Sequence, residues 1–319
     1  MTLQGPLVSV VVCSRDRAAQ LDRALESLAV CTVPDDLHWE VIVIDNGSDD
    51  AATIVVESYL DRLPIRAVRE PVPGLSQARN RGVEEARGDW LLWIDDDVSV
   101  DREWLTAYVR AIEAHSDFSV LGGRILPELE GSPADWLIAG MRWVGDAYAA
   151  RVSEDLRGDI GNFGEKPYGA NFATCRAAAR EYRYRDELGR HPLRPTGGGE
   201  ETDVIRRILA GGGRGRWVPD AIVVHHIDRD RQSVGYLRAY FSDAGGLAAV
   251  AWRRRHLFER VRLLSHSIGR WTAHGLAYHA GRLCGYDTRR AKDLKEAAWH
   301  RGYVRACASQ VLRSGRIRE

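Results

Sequence analysis

The sequence lacks the long apolar runs and the paired cysteines that characterise several classes of protein. No stretch approaches the roughly 20 consecutive apolar residues of a membrane-spanning helix, which excludes an integral membrane protein. The five cysteines are scattered and form no C-x-x-C pair, so we expect reduced thiols and neither a disulfide framework nor a zinc site. The apolar run 7–13 follows no basic residue and precedes no cleavage site. We therefore expect a buried strand there, no signal peptide and a cytoplasmic protein.

The net charge is zero, but only because a basic tail balances an acidic remainder of the chain. The 319 residues include 45 Lys or Arg and 45 Asp or Glu. Residues 251–319 contain 16 basic and five acidic side chains, so this tail carries +11 and the remainder of the chain −11. With 45% apolar and 28% charged residues, the composition is that of a globular protein, and the length allows about two domains.

Strand-like and helix-like patterns alternate along the first 126 residues. Near-continuous apolar runs, which predict buried strands, occupy 7–13, 40–46, 65–70, 90–97 and 119–126. Helical segments lie between them, including 51–61, 74–87 and 101–115. This alternation predicts an α/β fold with a mostly parallel sheet flanked by helices. Further predicted strands lie at 168–175 and 221–226, and the sequence reads as helical from residue 233 onward.

Polar residues follow the second predicted strand, and ligands of such sheets bind beyond the carboxyl ends of the strands. Asp45 and Asn46 end this strand, and Gly47 lets the chain turn away. The carboxylate and the amide could bind a nucleobase or a ribose. They could equally form an Asx turn that leads into a helix cap, and this motif alone favours the turn.

Three acids follow the fourth predicted strand. Residues i and i+2 of a strand share a face, so we expect Asp95 and Asp97 to converge while Asp96 points away. Burying carboxylates against a core costs free energy unless a cation or strong hydrogen-bond donors bind them. Ligation by oxygen alone favours a hard ion, Mg or Mn. The alternative is a loop whose acids cap the helix that starts near Asp101.

Two further motifs carry titratable side chains. The acids Glu200, Glu201 and Asp203 follow the glycine triplet 197–199 and precede a helical pattern. Helix capping explains acids in a first helical turn, but glycines also let the backbone approach a ligand, and a glutamate there could act as a general base. The last strand ends in His225-His226. Adjacent strand residues face opposite ways, so at most one histidine joins the acids of the fourth strand.

Taken in order, six segments resemble the family 2 glycosyltransferases of the GT-A fold. They are CSRDR (13–17), VIVIDNGSDD (41–50), PGLSQARNRGVEEARGDWLLWIDDDV (73–98), YGANFA (168–173), GGGEETDV (197–204) and VVHH (223–226). The match covers roughly residues 7–250, and the order and spacing of the motifs are specific where any single one is not. The resemblance implies a GT-A type, Rossmann-like domain with a nucleotide-binding half, an acceptor half and a basic helical C-terminal extension. We place the domain at 1–235, its halves at 1–126 and 127–235, and the extension at 236–319.

The resemblance also implies an inverting transfer of a sugar from a nucleotide sugar, usually a UDP-sugar, to an acceptor hydroxyl. The positions that match the family's donor-binding residues are Ser14, Arg15, Asp45, Arg79, Asn80, Asp95, Asp96, Gly169 and Asn171. The positions that match its metal site, for Mn or Mg, are Asp95, Asp97 and His225, with His226 next in line. The family's base matches Glu201. That position is commonly Asp, and the longer side chain leaves Glu200 and Asp203 open as alternatives.

Functions of other classes fit less well. A sugar nucleotidyltransferase or a dinucleotide-dependent oxidoreductase needs a glycine-rich phosphate loop after the first strand, and CSRDRAAQ contains no glycine there. A non-catalytic module that binds nucleotide sugars stays open, and turnover would separate it from an enzyme. The acceptor also stays open among a saccharide, a lipid-linked sugar and a small molecule.

The basic tail allows three interpretations. Arg253–Arg255 lie beside Trp252 and Phe258, a pattern that could bind the anionic inner face of a membrane. Nucleic acid is a second partner, but no recognised nucleic-acid motif accompanies the arginines, so we expect none. The helices could instead pack on the acidic body or on a second subunit of a homo-oligomer. We favour this last interpretation, because helices usually bury an apolar face.

Overall fold

The computed structural model describes residues 8–47, 51–154, 156–161, 164–192, 198–249, 256–285 and 287–315. Parts of four sequence motifs lie outside these ranges. They are Leu7 of the first apolar run, Ser48–Asp50 after the second strand, Gly197 of the triplet and the segment Trp252–Arg255. The described part of the chain is an α/β structure, which confirms the predicted fold class.

The strands are β1 Val8–Ser14, β2 Trp39–Asp45, β3 Ile65–Arg69, β4 Trp90–Asp95, β5 Val98–Val100, β6 Val120–Leu129, β7 Asn171–Cys175 and β8 Gly215–Ile227. The helices are α1 Ala18–Ala29, α2 Ala51–Glu57, α3 Leu75–Glu85, α4 Trp104–Ala114, α5 Asp135–Val144, α6 Arg176–Glu181, α7 Glu200–Ala210, α8 Val234–Ala248, α9 Leu257–Cys284 and α10 Asp287–Gly315. Two short 3-10 turns, Gly145–Tyr148 and Arg229–Gln232, complete these elements.

The strands form one mixed sheet in the order β3-β2-β1-β4-β7-β6-β8-β5. β1 pairs in parallel with β2 and β4, and β2 pairs in parallel with β3. β7 pairs antiparallel with β4 and β6, and β5 pairs antiparallel with β8. The predicted parallel arrangement therefore holds for the four strands at one end. The other end contains antiparallel pairs, so "mostly parallel" describes the first half of the domain only.

Both faces of the parallel strands are buried. In β1, Val8, Val10 and Val12 belong to one apolar cluster, whereas Val11 belongs to the cluster on the opposite face. β2 and β4 divide their side chains in the same alternating way. A strand that is covered twice must be apolar at nearly every position, which explains the continuous runs in the sequence. Because β1 pairs in parallel with β2 and β4, the carboxyl ends of these three strands lie at one edge of the sheet.

Two predicted strands differ from the observed ones in ways that matter for the site. The apolar run 90–97 is not one strand, because β4 ends at Asp95 and a turn separates it from β5. The run 221–226 belongs to a longer strand, β8, which begins at Gly215. β5 pairs with the end of β8 in the register Val98↔His225. This pairing brings the last histidines of β8 to the β4–β5 turn.

Two compact units divide the chain. One consists of residues 1–128 and 149–226, and the other of 129–148 and 227–319, described over the ranges given above. The division differs from the predicted halves, because helix α5 of the predicted acceptor half packs with the C-terminal helices. In this second unit, Gly302 of α10 lies so close to α8 that an added Cβ would meet Ser242. None of the described helices is both long enough and apolar enough to cross a membrane.

Candidate functional site

The end of β2 presents a buried carboxylate and an amide that hold a loop. Asn46 donates to the carbonyls of Glu70 and Val72, at 2.8 and 2.7 Å, and its Oδ1 accepts from Gly74 N at 2.8 Å. Asn46 therefore fixes the segment that leads into α3. Arg15 Nη1 donates to the Asn46 carbonyl at 3.0 Å, which joins the end of β1 to the same loop.

Asp45 lies beside Asn46 and is 2% exposed. Its Oδ1 accepts a hydrogen bond from Gly47 N at 2.9 Å, as in an Asx turn. Its Oδ2 lies 3.6 Å from Arg69 Nη1 and accepts no hydrogen bond from the described residues. A buried carboxylate oxygen without a donor is costly unless a ligand supplies one. The carboxylate is thus placed to accept from a ligand at the edge of the sheet.

Three consecutive acids at the end of β4 contact two arginines. Asp96 accepts from Ser14 Oγ and from Arg17 Nη1, both at 2.8 Å. Arg17 also donates to Asp97 Oδ2 with both terminal nitrogens, at 3.1 Å. Asp95 is separate from this pair, and its Oδ1 lies 3.4 Å from Arg79 Nη2. One guanidinium therefore neutralises Asp96 and Asp97 together.

The expectation that Asp96 points away from Asp97 is wrong. Strand alternation does not extend beyond Asp95, because Asp96 and Asp97 lie in the turn before β5. Asp96 is buried, and burial raises the pKa of its carboxyl to about 7, although Arg17 lowers it. Its contacts with Ser14 and Arg17 place Asp96 among the residues that shape the site.

The two histidines at the end of β8 separate as the alternation predicts. His225 Nε2 lies 3.3 Å from Asp97 Oδ1, and both side chains are buried. His226 faces the other way, where its ring nitrogens lie 2.8 Å from Ser99 Oγ and 2.8 Å from Glu128 Oε2. The structure therefore brings His225 to the acidic turn and gives His226 two other partners.

Arg79 of α3 connects the acids of β4 with the acids of α7. Its Nη1 donates to Glu200 Oε1 at 2.6 Å and lies 3.7 Å from Glu201 Oε2. Although burial opposes the charge, Glu200 and Asp95 raise the pKa of Arg79, so the guanidinium is cationic. Gly169 lies against it, and an added Cβ would meet Arg79 Nη2. The glycine at 169 thus makes room for the arginine.

The acids at the start of α7 have different surroundings. Glu201 is buried, and burial followed by the nearby Glu200 raises the pKa of its carboxyl to about 8, although Arg79 lowers it. Asp203 instead pairs with Arg207 Nε at 2.8 Å and with Arg185 Nη1 at 3.4 Å. Of the three predicted candidates for a base, only Glu201 combines burial, a raised pKa and an incomplete neutralisation by arginine.

Two asparagines that we expected beside the donor are hydrogen-bonded within the protein. Asn80 exchanges two hydrogen bonds of 2.9 Å with the main chain of Tyr184. Asn171 is completely buried, accepts from Trp104 and Tyr108, and donates to the carbonyls of Arg124 and Ala221. An amide side chain has two N–H donors and two acceptor lone pairs. The four bonds of Asn171 use all of these, whereas the two bonds of Asn80 leave one N–H and one lone pair.

The donor chemistry of the acidic turn suits a hard divalent cation. Asp97 and His225 offer oxygen and nitrogen donors at close range, and the turn already holds a cationic guanidinium. The side chain of Arg17 is 25% exposed, so it can move without unfolding the core. Among the described residues, no three His, Cys, Asp or Glu side chains are close enough to form a complete ligand set. Asp97 and His225 are thus a partial site, and Asp95, two residues before Asp97, is the candidate for a third ligand.

Sequence reasoning missed Arg17 and Tyr184. Arg17 is the last residue before α1, and it meets Asp96 because β1 and β4 pair in the register Cys13↔Asp95. Its position three residues beyond the strand and the three acids at the end of the neighbouring strand are the signals that point to it. Tyr184 supports both Asn80 and the guanidinium of Arg79, whose carbon lies 5.6 Å from the ring centroid. No local pattern marks Tyr184.

Similar proteins of known structure share this fold. The structure of the mannosyltransferase PcManGT from Pyrobaculum calidifontis, in complex with GDP-Man and Mn²⁺, superimposes with a TM-score of 0.61 and 16% identity, over 97% of this chain and 89% of that one. S. aureus TarS 1–349, in complex with UDP-GlcNAc, gives a TM-score of 0.53 and 16% identity, over 93% and 91%. At these identities the likeness concerns the fold, and both proteins carry the GT-A arrangement.

Sequence comparisons identify the family of the chain. The succinoglycan biosynthesis protein ExoM of Rhizobium meliloti is 27% identical over 234 residues, which are 72% of this chain and 70% of that protein. The family model for glycosyl transferase family 2 matches residues 9–180, more than half of the chain and the part that contains the β2, β4 and α3 motifs. The chain therefore belongs to the family 2 glycosyltransferases and is a glycosyltransferase of the GT-A fold.

Proposed function

We propose that this enzyme transfers a sugar from a UDP-sugar to an acceptor hydroxyl with inversion at the anomeric carbon. The observation that carries the proposal is that Glu200 and Glu201 differ in their contact with Arg79. Arg79 neutralises Glu200 at 2.6 Å, whereas Glu201 is buried and its pKa is raised to about 8. A general base works best when its pKa is close to the operating pH, and Glu201 meets that condition.

The transfer step follows from these roles. Glu201 accepts the proton of the acceptor hydroxyl while the hydroxyl oxygen forms a bond to the anomeric carbon. The bond from that carbon to the diphosphate oxygen breaks on the opposite face, so the configuration inverts. The proton ends on Glu201, and the electron pair leaves with the nucleoside diphosphate. Arg79 remains on Glu200 throughout, which keeps a second negative charge from competing for the same proton.

The donor is proposed from the edge of the sheet at Asp45. Its Oδ2 accepts no hydrogen bond from the described residues, and the N3–H of uracil is a donor of the required kind. Two similar structures hold nucleotide sugars, one GDP-Man and the other UDP-GlcNAc. They support a nucleotide-sugar donor, and the single acceptor atom of Asp45 favours the base with one ring N–H and no exocyclic amine beside it.

A divalent metal is part of the proposal. Asp97 and His225, with Asp95, would hold Mn or Mg, which supplies electrostatic stabilisation to the leaving diphosphate when it is bound. The chain's own contribution is to bury Asp97, to hold His225 against it at 3.3 Å and to shield the pair with Arg17. The acceptor is a saccharide, a lipid-linked sugar or a small molecule bearing a hydroxyl.

Release of nucleoside diphosphate from a panel of donors tests the proposal. UDP-, GDP- and ADP-sugars are incubated with the full chain, with Mn, with Mg and with a chelator, and the anomeric configuration of the product is read by NMR. We expect release from a UDP-sugar that requires the metal, and an inverted product. The Asp97→Ala variant is expected to lose metal-dependent UDP binding. Equal UDP binding by this variant would remove the metal assignment, and a retained configuration would remove the proposed mechanism.

A further inference from the structure

Helix α9 exposes more large apolar side chains than any other element of the described chain. Six of them project into solvent, namely Phe258, Val261, Ile268, Trp271, Leu276 and Leu283, and their exposed fractions run from 38% for Trp271 to 87% for Leu283. The other exposed apolar residues, such as Val30, Ile54 and Ile138, are distributed over separate elements. Single exposed apolar residues are ordinary, but a group of six on one helix marks an interaction surface.

Five of the six residues lie on one side of α9. With 3.6 residues per turn, Phe258, Val261, Ile268, Leu276 and Leu283 fall within an arc of about 80°. The same spacing places buried Ser267 and Tyr278 outside this arc, where α9 meets the rest of its own unit. The apolar stripe of α9, defined as these five residues, extends along a helix of about 40 Å. It is therefore a long surface whose five side chains are 43% to 87% exposed in the described chain.

The charged side chains of α9 are mostly positive. The 28 residues of α9 include four arginines and a single acid, Glu259. Arg262 and Arg282 are exposed near the two ends of the stripe, and no exposed Asp or Glu lies on the helix. The tail as a whole, residues 251–319, carries +11. The surface thus combines apolar side chains with a positive field.

We propose that the apolar stripe of α9 docks the protein parallel to an anionic lipid bilayer. A helix with apolar residues on one side and arginines beside them lies in the plane of the interface, with its apolar side among the acyl chains. Anionic lipids then attract the arginines, by about fivefold in binding for each residue near the surface. Trp271, next to the stripe, supplies the amphipathic ring that favours the interface.

Charge decides between a bilayer and a second copy of the chain. A symmetric dimer through the stripe would place the four arginines and the one acid of one α9 against those of another, and like charges that face each other across an interface oppose association. An anionic bilayer instead neutralises the same arginines. The proposal does not depend on the identity of the donor or of the base, because the α9 surface lies outside the residues assigned to catalysis.

Vesicle flotation of the full chain tests the docking. The protein is mixed with vesicles of phosphatidylcholine alone, or of phosphatidylcholine with phosphatidylglycerol, and centrifuged through a density gradient at low and high salt. We expect flotation with the anionic vesicles, and its weakening by salt. The triple substitution Phe258→Ser, Leu276→Ser and Leu283→Ser is expected to reduce partitioning by about tenfold or more, since it removes three apolar anchors.

A matched triple variant controls for the loss of exposed apolar surface in general. Ile54→Ser, Leu60→Ser and Ile138→Ser alter residues of comparable exposure outside α9, and flotation is expected to persist. Circular dichroism and the melting temperature of both variants establish that they fold. Absence of flotation by the unmodified chain, or equal flotation by the α9 variant, would overturn the proposal. A dimer would also overturn it: the unmodified chain would then be dimeric in light scattering, would not float with either kind of vesicle, and would become monomeric on the α9 substitutions.

Discussion

The site contains two pairs of consecutive acids, and each pair contacts one arginine. The two arginines differ in how they contact their acids and in how deeply they are buried. Asp96 and Asp97 share Arg17, which donates to both and is 25% exposed. Glu200 holds Arg79 at 2.6 Å, and this guanidinium is 3% exposed and 3.7 Å from Glu201. The first pair shares a guanidinium that is partly exposed. The second is neutralised unevenly by a group that cannot leave without exposing a buried charge.

The difference indicates which pair suits which chemistry. A pair that shares a partly exposed guanidinium can exchange it for another cation, as a metal site requires. A pair in which a buried guanidinium contacts mainly one carboxylate leaves the second carboxyl with a raised pKa, as a general base requires. The two arginines therefore separate a proposed binding site for a cation from a proposed site for proton transfer, although each contains two acids in sequence.

The largest expected effect comes from removing the proposed base. Glu201→Gln is expected to lower kcat by about 10²–10⁴-fold while UDP binding is retained, because the amide cannot accept the acceptor's proton. In the unmodified enzyme, kcat/KM should rise as the pH increases through about 8, since only the ionised carboxyl is active. The variant's residual rate should lack this rise. Release of UDP over a pH series, with UDP binding measured separately, checks both statements.

Asp203→Asn is the matched control for that variant. Asp203 lies two residues further along α7 and forms ion pairs with Arg207 and Arg185, so its loss should change the rate by far less. Full activity in Glu201→Gln would place the base elsewhere. A larger loss in Asp203→Asn than in Glu201→Gln would exchange their roles.

The second expected effect concerns stability. Arg79→Met is expected to lower the free energy of unfolding by about 3–5 kcal/mol, because it leaves Glu200 buried and unneutralised. Adding Glu200→Gln should recover much of that loss. Arg62→Met is the control, since Arg62 pairs with Glu26 on the surface and its loss should change the stability far less. Urea unfolding of the unmodified chain, the two single variants and the double variant measures these differences. Equal losses for Arg79→Met and Arg62→Met would contradict the distinction between the buried and the exposed pair.

Local patterns were sufficient for the framework of the fold. Valines and isoleucines at consecutive positions of β1 and β2 predict doubly covered strands, and the acids Asp45 and Asp95 then follow at strand ends because the runs stop there. The break between β4 and β5 could not be predicted. The three residues of β5 follow three acids, and only their pairing with β8 reveals a strand there.

Side-chain partners depend on contacts distant in sequence. Asn171 was expected beside the sugar because its motif resembles a binding segment, yet Trp104 and Tyr108 on α4 donate to it. Arg17 meets Asp96 across 79 positions of sequence, through a strand register that no local pattern fixes. Which acids share an arginine is thus a property of the packed sheet. The residue types at the site were predictable, but their partners were not.

The smallest expected effect tests whether Arg17 and a metal compete for the same acids. Arg17→Gln removes the cation that Asp96 and Asp97 share, so we expect Mn to bind about tenfold more tightly in titration calorimetry, at some cost in stability without metal. Arg81→Gln alters an exposed i,i+4 pair with Glu85 and should leave Mn affinity unchanged. Tighter binding only in Arg17→Gln would show that the Arg17 guanidinium and Mn compete for Asp96 and Asp97. Unchanged or weaker binding would show that the guanidinium supports the metal site instead, and the contrast between the two acid pairs would then rest on Arg79 alone.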